Sequence, residues 1–366
     1  MQLREQRRAR RRYNRPVKTP PHPIRVGAWL AVLAAVSFGV TAPLVKIVGA
    51  GAGAFGTAAL LYLGAAGVSL FAPSSKAEEP PPQKRHLPRL LLVALIGAVI
   101  APTLLAWGLQ RASATTASLL LNLEAVFTVL LGWAFYREAI GRQVALAVLL
   151  ITAGGALLVV GDRGLGGTSW LGPMAIAAAS LGWSFDNTLT RPLSDLDPRK
   201  VVLMKAGLGT GLAAMASLLL EEARPTAAHA LMLVGLGALG YGLSLRFYLL
   251  AQRRIGAGRT GSIFAIGPFV GVLVAWSIGE RGMGATTVVA GLLFAIGIHL
   301  HVTEQHHHRH HHEPMDHEHA HRHDDAHHDH AHDPPFAGEH SHPHRHERRE
   351  HAHDHGADLH HQHAHD

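Results

Sequence analysis

Ten apolar segments of membrane-crossing length run between residues 27 and 302, at 27–48, 52–72, 89–109, 113–136, 143–161, 170–190, 201–220, 229–250, 260–279 and 284–302. Hydrocarbon offers no water to satisfy backbone N–H and C=O groups, so runs of about 20 apolar residues cross it as helices. The expected class is an all-α polytopic membrane protein with ten transmembrane helices. Two segments, 52–72 and 143–161, are rich in Gly and Ala and leave nine or eleven spans as alternatives. The first apolar run follows the basic stretch MQLREQRRARRRYNRPVK, yet it is long enough to span and is the first of many. It reads as a start-transfer helix rather than a cleaved signal peptide.

Charge sets the expected orientation. With the N-terminus inside, Arg and Lys occupy nine positions in the first 25 residues, four at 76–89, two at 137 and 142, three at 191–200 and three at 253–259. The opposite side holds only Lys46, Arg111, Arg163, Arg224 and Arg281. This positive-inside bias puts both termini in the cytoplasm of a bacterial-type inner membrane. The sequence pI near 10.0 could suggest nucleic acid, but the basic residues lie at the N-terminus and beside apolar segments. That distribution fits a lipid surface and no nucleic acid. Cysteine is absent, so any metal would be held by nitrogen and oxygen ligands.

The chain also repeats itself. AVSFG at 35–39 returns as AASLGW at 178–183, and TASLLLNLEAVFTVLLGWAFYREAIG at 116–141 has a counterpart in TGSIFAIGPFVGVLVAWSIGERGMG at 260–284. Because five is odd, a five-helix unit repeated once must enter the membrane upside down the second time. Inverted repeats of this kind are a common framework for alternating access. The expected domains are a basic N-terminal segment (1–26), a first five-helix repeat (27–161), a second (162–302) and a tail (303–366).

LLLNLEAVFTVLLGWAFYREAIG, its partner GSIFAIGPFVGVLVAWSIGER and the ten-span plan resemble the EamA-type branch of the drug/metabolite transporter superfamily. The resemblance covers roughly 27–302 and implies two helix bundles around a central cavity, used by carriers of small solutes. It leaves the substrate open. The chain carries no GxxxxGK[ST] phosphate loop and no nucleophile–base constellation, so neither an ATPase nor another enzyme is expected.

Within the spans, polar side chains are costly and single out candidate sites. Glu124 stands in the middle of the fourth span and is expected to face a cavity, take a proton or pair with a cation. Asn122, two residues away on another side of the helix, is expected to tie helices together. Asp186 and Asn187 lie toward the cytoplasmic end of the sixth span, where they either bind or end the helix. Lys205 and Arg246 are expected to snorkel to the headgroups, with pairing to Asp186 or an anionic substrate as the alternative. Glu138 and Glu280, each beside an Arg at a span's end, read as helix-end anchors. Pro43, Pro102, Pro173 and Pro268 are expected to interrupt helices.

The tail differs in kind. Of 30 histidines, 26 lie at His301 or later, interleaved with 14 Asp or Glu. Such a segment has too little apolar area to offset ordering its backbone and is expected to be disordered. Neutral imidazoles suit Zn, Ni, Co and Cu. The candidate metal ligands are His306, His307, His308, His310, His311, His312, His317, His319, His321, His323, His327, His328, His330 and His332. No cofactor is required; transition metals are expected only on the tail. The leading reading is a proton-coupled secondary transporter exporting a small organic solute, with the tail as metal buffer or regulator. The alternatives are efflux of nickel, cobalt, zinc or a metal complex, and a membrane-anchored metal sensor that does not transport. Oligomeric state is left open, a homodimer included.

Overall fold

The computed structural model describes residues 23–71, 80–137, 140–161, 170–193, 196–255, 257–280, 284–303 and four short strands of the tail. From residue 23 to 303 the described residues form ten helical runs. They are α1 (Pro23–Gly39 and Thr41–Val48), α2 (Ala54–Phe71), α3 (Lys84–Leu109), α4 (Ala114–Leu120 and Leu123–Tyr136) and α5 (Arg142–Gly161). The second five are α6 (Leu171–Thr190), α7 (Pro198–Leu219), α8 (Ala227–Gly237 continuing to Ile255), α9 (Ala257–Phe264 and Gly267–Ser277) and α10 (Ala285–Thr303). Seven of the ten are long and apolar enough to cross a membrane by themselves. The other three are α6, which carries Asp186 and Asn187, the broken α9, and α10.

Two irregularities recur at one spacing. α3 widens into a π turn over Ala94–Ile100 and α8 does so over Ala238–Leu243. α4 breaks between Leu120 and Leu123, α9 between Phe264 and Gly267. Both pairs are offset by 144 residues, from 94 to 238 and from 120 to 264. Side-chain substitutions blur a repeat, whereas a backbone defect in register preserves it. The packing follows the same rule: α2 lies on α7, α5 on α10 and α4 on α9, while α1 packs on α8 as α6 packs on α3. Exchanging each helix with the one five places on reproduces the contacts, as two inverted repeats require.

Small residues let these helices approach. A Cβ at Gly237 would meet the Leu61 carbonyl at 1.9 Å, and one at Gly64 would meet the Val234 carbonyl at 2.0 Å, so α2 and α8 touch backbone to backbone. Large apolar side chains such as Leu149, Leu218, Leu231 and Leu273 point outward and are exposed, as expected where the surrounding solvent is lipid. The prolines begin helices more than they interrupt them. Pro268 stands at the second position of a helical segment, and Pro43 and Pro173 at the third, where the missing N–H has no partner to lose; Pro102 alone lies inside a continuous helix, just after the π turn of α3. Pro173 in particular leaves α6 continuous, against the sequence expectation.

In the tail, β1 (Arg309–His312) pairs antiparallel with β4 (Arg349–Ala352), and β2 (Met315–His321) with β3 (His340–His346). The rest of the tail, on which the expectation of disorder also falls, lies outside the described residues. In β2 and β3 histidine alternates with other residues, a period-two pattern. His306, His307, His308, His323, His327, His328, His330 and His332 lie outside the described residues, as do Glu138 and the basic segment through residue 22.

Candidate functional site

The break in α4 builds the polar centre of the molecule. Around it the backbone closes with three-residue bonds: Asn122 N–H to the Leu119 carbonyl at 3.1 Å, Glu124 N–H to Leu121 at 3.1 Å and Ala125 N–H to Asn122 at 3.1 Å. The Leu120 carbonyl thereby loses its usual donor, and Ser180 Oγ of α6 reaches it at 3.4 Å. One turn on, Ser184 Oγ donates to the Glu124 carbonyl at 2.9 Å. α6 is therefore laid along the break by two hydroxyls. Glu124 itself occupies the first turn of the half-helix Leu123–Tyr136, where the positive end of the helix dipole favours a carboxylate. At the same point of α9 stands Pro268, so the second repeat has the break without the acid.

The Glu124 carboxylate is partly exposed and accepts a hydrogen bond from Asn187 Nδ2 at 2.8 Å. One residue back, buried Asp186 forms an ion pair with Lys205 of α7 and accepts from Thr190 Oγ1 at 3.4 Å. Of the two expectations for Lys205, pairing with Asp186 is the observed one. Asn187 is joined to Glu124, so the structure brings four candidates, Glu124, Asn187, Asp186 and Lys205, into one cluster across α4, α6 and α7. Asn122 does not reach another helix as expected: its Nδ2 donates to the Leu119 carbonyl of its own span at 3.1 Å. It closes the break. Arg246 sits half-buried on α8, just beyond the π turn.

Beside this cluster lies a box of aromatic rings that the sequence reading did not single out. Phe38 of α1 meets Trp183 of α6 with ring centroids 6.3 Å apart, and Tyr241 of α8 lies 6.2 Å from Phe38 and 6.1 Å from Trp183. Tyr62 and Phe264 extend the box, each 5.5 Å from a member of that trio. The π turn in α3 anchors it. There Ala101 N–H bonds the Ile96 carbonyl, five residues back. In that register the Gly97 carbonyl would be served by residue 102, a proline without N–H. Tyr62 Oη takes its place at 2.5 Å and Trp183 Nε1 at 3.1 Å. A Cβ on Gly97 would also run into Asp186, so one glycine carries both the aromatic box and the ion pair. The repeated AVSFG and AASLGW motifs contribute Phe38 and Trp183 to the box, although the repeat itself does not say that the two rings meet.

The end of the bundle opposite the two termini is stitched by polar contacts. Lys46 Nζ of α1 lies 2.5 Å from Glu280 Oε1 in the loop after α9, and Glu280 Oε2 accepts the Thr115 N–H at the start of α4 at 3.2 Å. Burial alone would raise the Glu280 carboxyl. Lys46 and the N–H groups of Ala114 and Thr115 outweigh it, so the carboxyl titrates below its ordinary value. Glu280 is thus a clasp across three helices rather than a simple helix-end anchor. Glu222 does similar work nearby, accepting the N–H groups of Phe55 at 3.1 Å and Gly56 at 2.9 Å. Lys46 and Glu280, opposite charges at span ends on the same side of an apolar bundle, were the sequence clue to this pair.

Residues 25–160 and 170–303 each match the EamA-like transporter family. The chain belongs to that family. Its two matched stretches coincide with the two five-helix repeats, and the protein is a multi-pass membrane protein. It is 30% identical over 220 residues to an uncharacterized transporter of Methanothermobacter thermautotrophicus, an alignment spanning 57% of this chain and 62% of that relative. A protein of known crystal structure superposes with a TM-score of 0.56 at 19% identity, covering 75% of this chain and 94% of its own. That likeness concerns the fold.

Proposed function

We propose that this member of the EamA-like family is a secondary active transporter that exports a small organic solute in exchange for protons, with Glu124 as the exchanging group. The observation that carries the reading is the juxtaposition at the α4 break: a carboxylate at a half-helix N-terminus, hydrogen-bonded by Asn187 at 2.8 Å and next to the Asp186–Lys205 pair. An acid at mid-depth is tolerated when it serves a pathway.

In this reading the two repeats rock about the α4–α6 crossing. With Glu124 ionised, Asn187 and the half-helix dipole hold it, and a polar or cationic solute can compete for the same oxygens. Protonation removes the charge, makes burial cheap and frees the site to reorient. Asp186, paired with Lys205, fixes α6 on α7 through the cycle. The aromatic box supplies apolar and π surface on which an organic group can rest. The Lys46–Glu280 clasp closes the end opposite the termini. We read the Arg and Lys bias as putting the termini in the cytoplasm of an inner membrane, so that the end opposite the clasp faces inward.

Uptake into inverted vesicles under an imposed proton gradient tests the reading, with an amino-acid panel as the first solutes. Glu124→Gln is expected to abolish gradient-driven accumulation in correctly inserted protein. Unchanged accumulation and pH dependence would refute the coupling role. The second reading, efflux of a divalent metal or its complex, draws on the histidine tail and predicts metal uptake that disappears when residues 304–366 are removed.

A further inference from the structure

The buried rings of the aromatic box have their polar handles turned away from one another. Tyr62 Oη and Trp183 Nε1 both donate to the Gly97 carbonyl of α3, at 2.5 and 3.1 Å, so neither keeps its hydrogen for a solute. What these two rings present to their neighbours is π surface. Tyr241 joins them from the π turn of α8, and the 144-residue offset of the repeat pairs it with Gly97 in the π turn of α3. The ring therefore belongs to one repeat only. From buried Trp183 and Tyr241 the ring contacts run on to partly exposed Phe38, Phe264 and Tyr248, the last two meeting edge to face at 5.1 Å. The box thus has an accessible edge.

The acid lies beside the same rings. The Glu124 carboxylate is partly exposed and within electrostatic reach of Tyr62, Tyr241 and Tyr248. Asp186 and Lys205 compensate each other as a pair, and Asn187 is neutral. With Glu124 ionised the cluster therefore carries one net negative charge. Arg246 stands two residues before Tyr248 on α8, about 200° around the helix, and so on the opposite side from that ring.

We propose that the aromatic box and Glu124 form one binding site for an organic cation, an ammonium group bearing apolar substituents. Ring faces carry negative potential and attract a cation, most strongly where water is excluded. An anion would meet the Glu124 charge and the same negative faces, and a neutral solute would leave the ionised carboxylate uncompensated. A cation seated on the rings takes the place of the proton on Glu124, so solute and proton exclude each other. The inference rests on the reading of the α4 break as a proton-exchange site and deepens it by naming the class of solute.

The test measures equilibrium binding of benzyltrimethylammonium to the purified full-length protein in detergent, with benzyl alcohol and phenylacetate as neutral and anionic controls. The cation is expected to bind at least about tenfold more tightly than either control, and more weakly as pH falls and Glu124 takes its proton. Glu124→Gln should weaken binding and remove the pH dependence. Tyr241→Leu should weaken it by about tenfold, whereas Tyr241→Phe, which keeps the π face and loses only the hydroxyl, should stay within about twofold of the parent. A thermal unfolding midpoint for each variant separates loss of the site from loss of the fold, and Phe38→Leu gives a second ring should Tyr241→Leu not fold. Equal binding of the cation and benzyl alcohol, or parent affinity in folded Tyr241→Leu and Phe38→Leu, would overturn the cation site. If gradient-driven uptake of another solute still depended on Glu124, the proton-exchange reading would survive that result. Ring-dependent cation binding without gradient-driven uptake would support the site and overturn the exchange.

Discussion

α4 and α9 are the same helix twice. Each breaks at the same register, each packs on the other, and each carries a Trp near its end, yet α4 holds Glu124 after its break where α9 holds Pro268. The difference teaches that the repeat supplies symmetry of backbone and the substitutions supply chemistry. The same contrast runs through their neighbours. Shifted by 144 residues, Lys205 corresponds to Leu61, a buried apolar residue, so one half carries the ion pair and the other a hydrophobic contact. An inverted pair with a single-sided polar site can change which face it opens while keeping one place for a proton and a solute.

The largest effect should come from erasing the asymmetry at its centre. Glu124→Gln is expected to reduce gradient-driven solute accumulation in inverted vesicles to the level of protein-free vesicles, while Pro268→Ala leaves most of it. Equal losses from the two would mean that the break and not the acid matters. Next in size is Lys205→Met, which strands buried Asp186. Loss of one member of a buried pair costs about 3–5 kcal/mol, so thermal unfolding in detergent should fall sharply, and adding Asp186→Asn should recover much of the loss.

Asn187→Ala should act more gently. A hydrogen bond to a charged group contributes about 1.5–3 kcal/mol, so coupled transport is expected at roughly a tenth of the parent rate, with a modest fall in the thermal unfolding midpoint in detergent. The smallest effect belongs to the clasp. Lys46 and Glu280 are each partly exposed, so Glu280→Gln should cost about 1 kcal/mol. Because the folded carboxyl titrates below its ordinary 4.5, its contribution is fully present above that pH and lost as pH falls through the folded value. Parent and variant should therefore converge in stability in acid. Divergence there would mean the clasp is not electrostatic.

Glu124 was legible from the sequence because a lone carboxylate in 20 apolar residues has few explanations. Asp186 and Lys205 were legible as residues, and their pairing only as the alternative to snorkelling, since their meeting depends on α6 and α7 crossing at one depth. The aromatic box was not legible. Phe38, Tyr62, Trp183 and Tyr241 come from four helices, and aromatic residues in membrane helices are common enough to carry no local mark. Asn122 was misassigned for a related reason: helical geometry was assumed through a stretch where the backbone leaves it.

Hydropathy, charge bias and internal repetition are properties of neighbours along the chain, and from them the sequence alone determined a ten-helix inverted repeat with an odd, histidine-laden end. The tertiary structure decided what distant neighbours do. It converted a π turn and a missing proline N–H into an anchor at Gly97 and placed Asn187 on Glu124. Each of these turns on a backbone defect, where a shift of one residue moves a side chain to another face. Only the assembled chain specifies that shift.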